Sequence, residues 1–350
     1  MIKVLVVDDS MMFREMLARE LRKDPALTVV GTATDPFDAR DKIVALNPDV
    51  MTLDVEMPKM DGIEFLRRLL PQYPIPVIVS SSLAGSVFDA MEAGAVDFVA
   101  KPGIGPGETE NYARELTAKI KIAARVNVLA KRQAAAALPA QPVRQQPLAQ
   151  IRTAPGKEIV IAVGASTGGT EAIFNLLTRL PANIPGIVMV QHMPPGFTQL
   201  YAERLNKACA FTVKEAEDND AVTAGLALLA PGGDCHMKLV KGPRGYSVRL
   251  LAGEKVSGHR PSVNYLFDSV ADAAGANAIG VILTGMGADG AKGLLNMRGK
   301  GAHTIGQDEG SCVVYGMPMV AFNTGAVAKQ LPLLQMPAEI CARLSLNSRG

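Results

Sequence analysis

Residues 159–169 read Ile159-Val160-Ile161-Ala162-Val163-Gly164-Ala165-Ser166-Thr167-Gly168-Gly169, an unbroken apolar run that gives way to small residues around a serine. A short apolar run without alternation is what a strand buried on both faces requires, and such strands belong to parallel sheets covered by helices. The pattern recurs along the chain. Runs at 187–190, 226–230 and 278–283 follow it on the C-terminal side, several leading into a Gly-rich turn and a helix-like stretch. On the N-terminal side runs at 4–7, 50–53, 77–79 and 96–99 alternate with amphipathic stretches such as 11–22 and 62–70. The sequence predicts two doubly wound α/β domains, each a parallel sheet between helical layers.

Residues 133–156 are rich in Ala, Pro and Gln, hold no acidic or aromatic residue and show no apolar period, which predicts a flexible linker. The expected boundaries are 1–126 for the first domain, 127–156 for a helix end and linker, and 157–350 for the second domain. A length of 350 residues suits two domains. With 36 basic and 34 acidic side chains and a net charge of +2, no field draws the chain to nucleic acid or to a membrane surface. The apolar stretch at 4–7 is too short for an export signal or a spanning helix, and the four cysteines form no C-x-x-C pair. A reducing cytoplasm is the expected compartment, with no direct membrane insertion.

In open parallel sheets, ligands collect outside the carboxyl ends of the strands, where turns present helix N-termini and free side chains. In the first domain this places Asp8 and Asp9 after the first run, Asp54 after the third strand, Ser80, Ser81 and Ser82 after the fourth, and Lys101 after the fifth. Clustered carboxylates repel one another, and a hard divalent cation such as Mg²⁺ offsets that repulsion through oxygen ligands. A carboxylate beside such an ion can take up a phosphoryl group, which a lysine pairs as a point charge and a hydroxyl reports by hydrogen bonding. The segments VLVVDDS, LDVEMPKMDG and AGAVDFVAKP resemble the response-regulator receiver family over about 125 residues. The resemblance implies a flavodoxin-like fold, Asp54 as phosphoacceptor, Asp8, Asp9 and Asp54 around Mg²⁺, Lys101 as the family's lysine, and a switch hydroxyl within 80–82, with Ser81 in the expected register.

In the second domain Gly164, Ser166 and Gly168 match the G-x-S-x-G nucleophile elbow, in which a serine is exposed on a strand-to-helix turn. The spacing 164–169 also fits a phosphate-binding Walker loop, but Thr170 and Glu171 stand where that loop needs lysine and a hydroxyl residue. A nucleophilic serine needs a base, and the domain offers His192, His236, His259 and His303. His192 follows the run at 187–190 and so shares the edge of Ser166. His236 opens a strand, His303 lies within one, and His259, on a loop, is the competitor. Asp289, after the run at 278–283, is the candidate carboxylate for the imidazole, and backbone N–H groups of its turn, Met286 among them, are candidate oxyanion donors.

Gly285, Gly287 and Gly290 also match the G-x-G-x-x-G dinucleotide fingerprint, with Asp308 near the next strand. Against a nicotinamide cofactor stands Asp289, which would face a pyrophosphate with a repulsion of about 4 kcal/mol at about 4 Å and an effective dielectric of about 20. A binding-only response regulator, such as a DNA-binding one, is the other alternative, though no basic recognition helix follows the linker.

The order Ser166, His192, Asp289 departs from the α/β-hydrolase order. With GASTGG, QHMPPGFT, LLAPGGDCHMKL, HRPSVNYLF, ILTGMGADGAKGL and QDEGSCVVYGMP, residues 159–328 instead resemble the catalytic domain of the chemotaxis protein-glutamate methylesterase (CheB) family. That resemblance implies a Rossmann-like three-layer domain that hydrolyses glutamyl methyl esters on the cytoplasmic region of chemoreceptors, and deamidates receptor glutamines, without a cofactor for the hydrolysis. It implies Ser166 as nucleophile, His192 as base, the Met286 N–H as oxyanion donor and Thr167 in an assisting role. A chemotaxis histidine kinase would be the phosphodonor.

Overall fold

The computed structural model describes residues 1–57, 60–82, 84–103, 105, 107–125 and 158–347. The chain divides into two compact units, Met1–Leu138 and Pro139–Gly350. The expected linker at 127–156 lies outside the described residues.

In the first unit, β1 (Ile2–Val7), β2 (Leu27–Ala33), β3 (Val50–Asp54), β4 (Val77–Ser81) and β5 (Asp97–Ala100) form a five-stranded sheet of order β2-β1-β3-β4-β5. Every recorded pair is parallel, so the order and direction are those of a flavodoxin-like doubly wound sheet. The helices are α1 (Met11–Leu21), α2 (Pro36–Leu46), α3 (Gly62–Leu69), α4 (Ala84–Glu92) and α5 (Glu108–Ala123). Their starts follow from local chemistry. Ser10 accepts from the Phe13 N–H ahead of α1, and Asp35 accepts from the N–H groups of Phe37 and Asp38 ahead of α2, whose first residue is proline. Val4, Leu5, Val6, Val50, Met51 and Leu53 have no exposed surface, as strands covered on both faces must.

The second unit holds β6 (Val160–Ala165), β7 (Gly186–Gln191), β8 (Thr212–Glu215), β9 (Leu226–Leu229), β12 (Ala278–Ile282), β13 (His303–Gln307) and β14 (Lys329–Leu331) in one seven-stranded sheet, order β14-β13-β12-β6-β7-β9-β8. All its recorded pairs are parallel. The helices are α6 (Gly169–Leu177), α7 (Phe197–Ala208), α8 (Val263–Ala274), α9 (Ala291–Gly299), α10 (Met317–Asn323) and α11 (Met336–Asn347). From β6 the chain moves to β7 on one side, and from β12 to β13 on the other, so the order reverses between β6 and β12. That crevice, at the carboxyl ends of the strands, is where this architecture binds ligands.

One feature departs from the expected purely parallel domain. β10 (Cys235–Gly242) and β11 (Gly245–Ala252) make a separate antiparallel hairpin. Met237, Leu239, Tyr246 and Val248 of the hairpin join Val263, Leu266, Phe267 and Val270 of α8 in one buried cluster. The Leu239 N–H donates to Ser269 Oγ at 2.9 Å, fixing the hairpin against α8.

Candidate active site

Three neighbouring strands deliver the expected catalytic residues. Ala165 pairs with Gln191, and Ile282 with Gly164, so β6, β7 and β12 end almost level. Ser166 steps off the central strand and His192 off its neighbour on one side. Asp289 comes from the turn after β12, on the other side.

The carboxylate is the most constrained of the three. Asp289 is 2% exposed, and burial alone would raise its pKa. Four donors answer that burial. His192 Nε2 lies 2.9 Å from Oδ2, the Val263 N–H donates to Oδ2 at 2.7 Å, and Oδ1 accepts from the Asn264 N–H at 3.0 Å and from Ser262 Oγ at 2.8 Å. Two of these are unpaired N–H groups of the first turn of α8, where the helix dipole also favours negative charge. The balance is a carboxyl held below its ordinary value of 3.8.

An ionised Asp289 at Nε2 fixes the imidazole tautomer: the proton sits on Nε2, and Nδ1 keeps a lone pair. Nδ1 is buried and has no partner among the described residues. It is therefore the basic position left for the serine. The Ser166 hydroxyl does not bond to it in this structure; catalytic hydrogen bonds of this kind commonly tighten only with substrate bound.

His259 does not compete with His192 but covers it. The two rings stack with centroids 3.7 Å apart and planes at 7°. The turn Val256–His259, closed by reciprocal backbone bonds through Ser257 and Gly258 at positive φ, presents the ring. His236 and His303 are engaged elsewhere: His236 lies behind the site against Ser262, and His303 bonds Glu339 at 3.0 Å.

The serine turn differs from a strained elbow. Among the described non-glycine residues only Asn47, Asn219 and Ser257 have positive φ, so Ser166 is not in that region. Gly168, at φ 75°, takes the left-handed conformation in its place and begins α6. The Ser166 N–H donates to the Thr284 carbonyl at 3.0 Å, and Gln191 Nε2 donates to the Ser166 carbonyl at 2.9 Å. Thr167 is buried, its carbonyl accepting from Thr284 Oγ1 at 2.9 Å. Met286 is 47% exposed, and its N–H has no partner among the described hydrogen bonds. That leaves it able to receive an oxyanion.

The glycine-rich turn after β12 serves this assembly. A Cβ on Gly285 would lie 2.8 Å from Ser166 Cβ and 2.3 Å from Met317 Sδ, so the position admits only hydrogen. Asp289 is committed to α8 and His192, and Asp308 binds the N–H and hydroxyl of Ser311 in its own loop. Neither acid is free for the ribose or pyrophosphate contacts of a dinucleotide. Ser262 escaped the sequence reading although its signal, a serine immediately ahead of an apolar helical run, was legible as a helix cap.

The acidic site of the first unit also assembles. Lys101 Nζ lies 2.6 Å from Asp54 Oδ2 and 2.8 Å from Asp8 Oδ2. Burial works against the Lys101 ammonium, but the hydrogen bonds to Asp54 and Asp8 outweigh it and lift its pKa above 10.5. Burial raises Asp54 above 3.8, with Asp8 adding to the effect and Lys101 opposing it. Asp8, Asp9 and Asp54 each offer an oxygen within 4.8 Å of the others. Ser81, expected after the fourth strand, is instead the last residue of β4; its Oγ donates to Glu56, two residues beyond Asp54 in the chain, at 2.9 Å. Ser80 points the other way, to the Tyr112 hydroxyl at 2.6 Å, and Ser82 is exposed.

Fold and sites together define a response-regulator hydrolase of two α/β domains. Residues 4–109 match the response regulator receiver domain, and residues 161–340 match CheB methylesterase. The chain belongs to the CheB methylesterase family. It is 54% identical over 333 residues to the protein-glutamate methylesterase/protein-glutamine glutaminase 2 of Syntrophomonas wolfei, covering 95% of this chain and 94% of that one. To the protein-glutamate methylesterase/protein-glutamine glutaminase of Salmonella choleraesuis it is 47% identical over 349 residues, covering 98% and 97%. The catalytic domain of Thermotoga maritima CheB methylesterase superposes with a TM-score of 0.52 at 38% identity, covering 53% of this chain and 98% of that structure. No helix among the described residues is long and apolar enough to cross a membrane.

Proposed function

We propose that the chain hydrolyses glutamyl methyl esters on the cytoplasmic region of chemoreceptors, and deamidates receptor glutamines, under control of phosphorylation at Asp54. The observation that carries the catalytic half is the His192–Asp289 pair at 2.9 Å, with an anchored carboxylate on Nε2 and a basic Nδ1 on the strand next to Ser166. Ser166 Oγ attacks the side-chain carbonyl carbon while His192 Nδ1 takes its proton, and the carbonyl oxygen moves into the reach of the Met286 N–H. The proton returns from Nδ1 to the methoxy oxygen as its bond to carbon breaks, and methanol leaves. Water then opens the acyl-serine by the same route, leaving glutamate and free Ser166. With a glutamine substrate the leaving group is ammonia. Thr167, buried beside the nucleophile, supports the turn. No cofactor enters these steps.

For the regulatory half, Asp54 is the phosphoacceptor, Lys101 its cationic partner and Ser81 the hydroxyl that responds, with a chemotaxis histidine kinase as phosphodonor. The donor set of Asp8, Asp9 and Asp54 fits Mg²⁺: three hard carboxylate oxygens converge within 4.8 Å of one another, and a divalent cation would offset the cost of their burial and mutual repulsion. When bound, the ion supplies neutralisation of phosphoryl charge. Methanol release from methylated receptor membranes tests the catalytic proposal. The wild-type chain releases it and Ser166→Ala does not; equal release by both would overturn the assignment.

A further inference from the structure

Behind Asp289 a second buried histidine completes a chain of contacts that the reaction steps do not use. His236, the second residue of β10, is 1% exposed and has both ring nitrogens engaged. Nδ1 accepts from the Ser262 N–H at 3.2 Å, and Nε2 lies 2.8 Å from the Glu254 carbonyl. A carbonyl can only accept and an N–H can only donate, so the ring is neutral with its proton on Nε2. Its face stacks on Tyr265 of α8, centroids 4.4 Å apart and planes at 20°.

Ser262 is the shared element. Its N–H is held by His236, its Oγ donates to Asp289 Oδ1 at 2.8 Å, and the same Oγ accepts from the Tyr265 N–H at 3.3 Å as the cap of α8. The next two N–H groups, of Val263 and Asn264, also end on Asp289. The position of this one turn therefore sets the three bonds that aim the carboxylate at His192. Among the described residues, His236 Nδ1 is the one side-chain acceptor of the Ser262 N–H.

We propose that His236 is a positioning residue of the active site: as a neutral acceptor it holds the Ser262 turn in the register that points Asp289 at His192. The proposal deepens the methylesterase reading and rests on it for its kinetic test. It explains why the hairpin β10–β11, outside the main sheet, packs on α8: the hairpin carries the acceptor that fixes the start of that helix.

Two substitutions separate this role from general packing. His236→Asn keeps an acceptor oxygen two bonds from Cβ, where Nδ1 stands, whereas His236→Gln carries its amide one bond farther out, near the Nε2 position, and leaves no acceptor where Nδ1 stands. With full-length protein and methylated receptor membranes, His236→Gln lowers kcat about 10- to 100-fold, the loss that small misplacements of catalytic groups produce. KM stays within about twofold, because none of these groups touches the substrate. His236→Asn recovers most of kcat. In parallel, the downfield proton signal of the His192 Nε2–H on Asp289, read by proton NMR on the same chains, is kept in wild type and His236→Asn and lost in His236→Gln. Equal loss of kcat and signal in both variants, in step with a fall in melting temperature, would overturn the proposal in favour of packing. Unchanged kcat and signal in His236→Gln would overturn it as well. Absence of methanol release by the wild type would count against the methylesterase reading alone, and the proton signal would still decide the role of His236.

Discussion

A carboxylate as buried as Asp289 would be costly if left unpaired, yet it titrates below its ordinary range because His192 and the α8 turn supply its partners. Asp289→Asn removes the charge and replaces an acceptor by a donor facing Nε2, which favours the tautomer with Nδ1 protonated and so disarms the base. The expected loss in kcat is on the order of 10⁴-fold with KM little changed, measurable by steady-state methanol release. The same residue sets an acid limit on stability. Its folded pKa lies below the unfolded value of about 3.8, so between the two the unfolded chain binds more protons. Its contribution is present above about pH 4 and lost as pH falls through the folded pKa. Melting curves between about pH 3 and 6 should therefore show a steeper acid decline for wild type than for Asp289→Asn. Ser166, His192 and Asp289 were legible because each lies in the turn that follows an apolar run. The stack of His259 on His192 was not, since it depends on a tight turn aiming a ring across the sheet edge, and residue spacing does not encode that.

Among the elements, the turn after β12 is the least tolerant of change. Gly285→Ala would drive a methyl into Ser166 and Met317, displacing the nucleophile's backbone rather than its chemistry. The expected result is a fall in kcat of about 10- to 100-fold, with Ser166 still intact and slower to label with a fluorophosphonate probe. Labelling at the wild-type rate would show that the turn yields without moving Ser166. The most apolar strands of both sheets were readable from their runs. β2 escaped because its sequence, LTVVGTA, mixes polar residues into the run and five of its seven positions are only half-buried. The strand at His236 was legible, but its antiparallel pairing with β11 was not, because the buried residues of that hairpin face α8 and the pairing is a tertiary choice.

At the scale of the whole molecule, a single chain carries a receiver domain with an acidic cluster, the proposed phosphoacceptor site, and a methylesterase domain. Asp54 and Lys101 lie 2.6 Å apart, with Asp8 on the same lysine, and Asp54→Asn removes the proposed phosphoacceptor while leaving the proposed catalytic residues unchanged. The order of domains was legible because each carries several specific motifs in sequence. The relation between their activities follows from chemistry that only a functional assay reads. That assay is methanol release from methylated receptor membranes by the full chain, with and without histidine kinase and ATP. The account predicts a basal release that rises with the kinase in wild type, the same basal release without the rise in Asp54→Asn, and none in Ser166→Ala. An equal rise in Asp54→Asn, or release by Ser166→Ala at the wild-type rate, would contradict it.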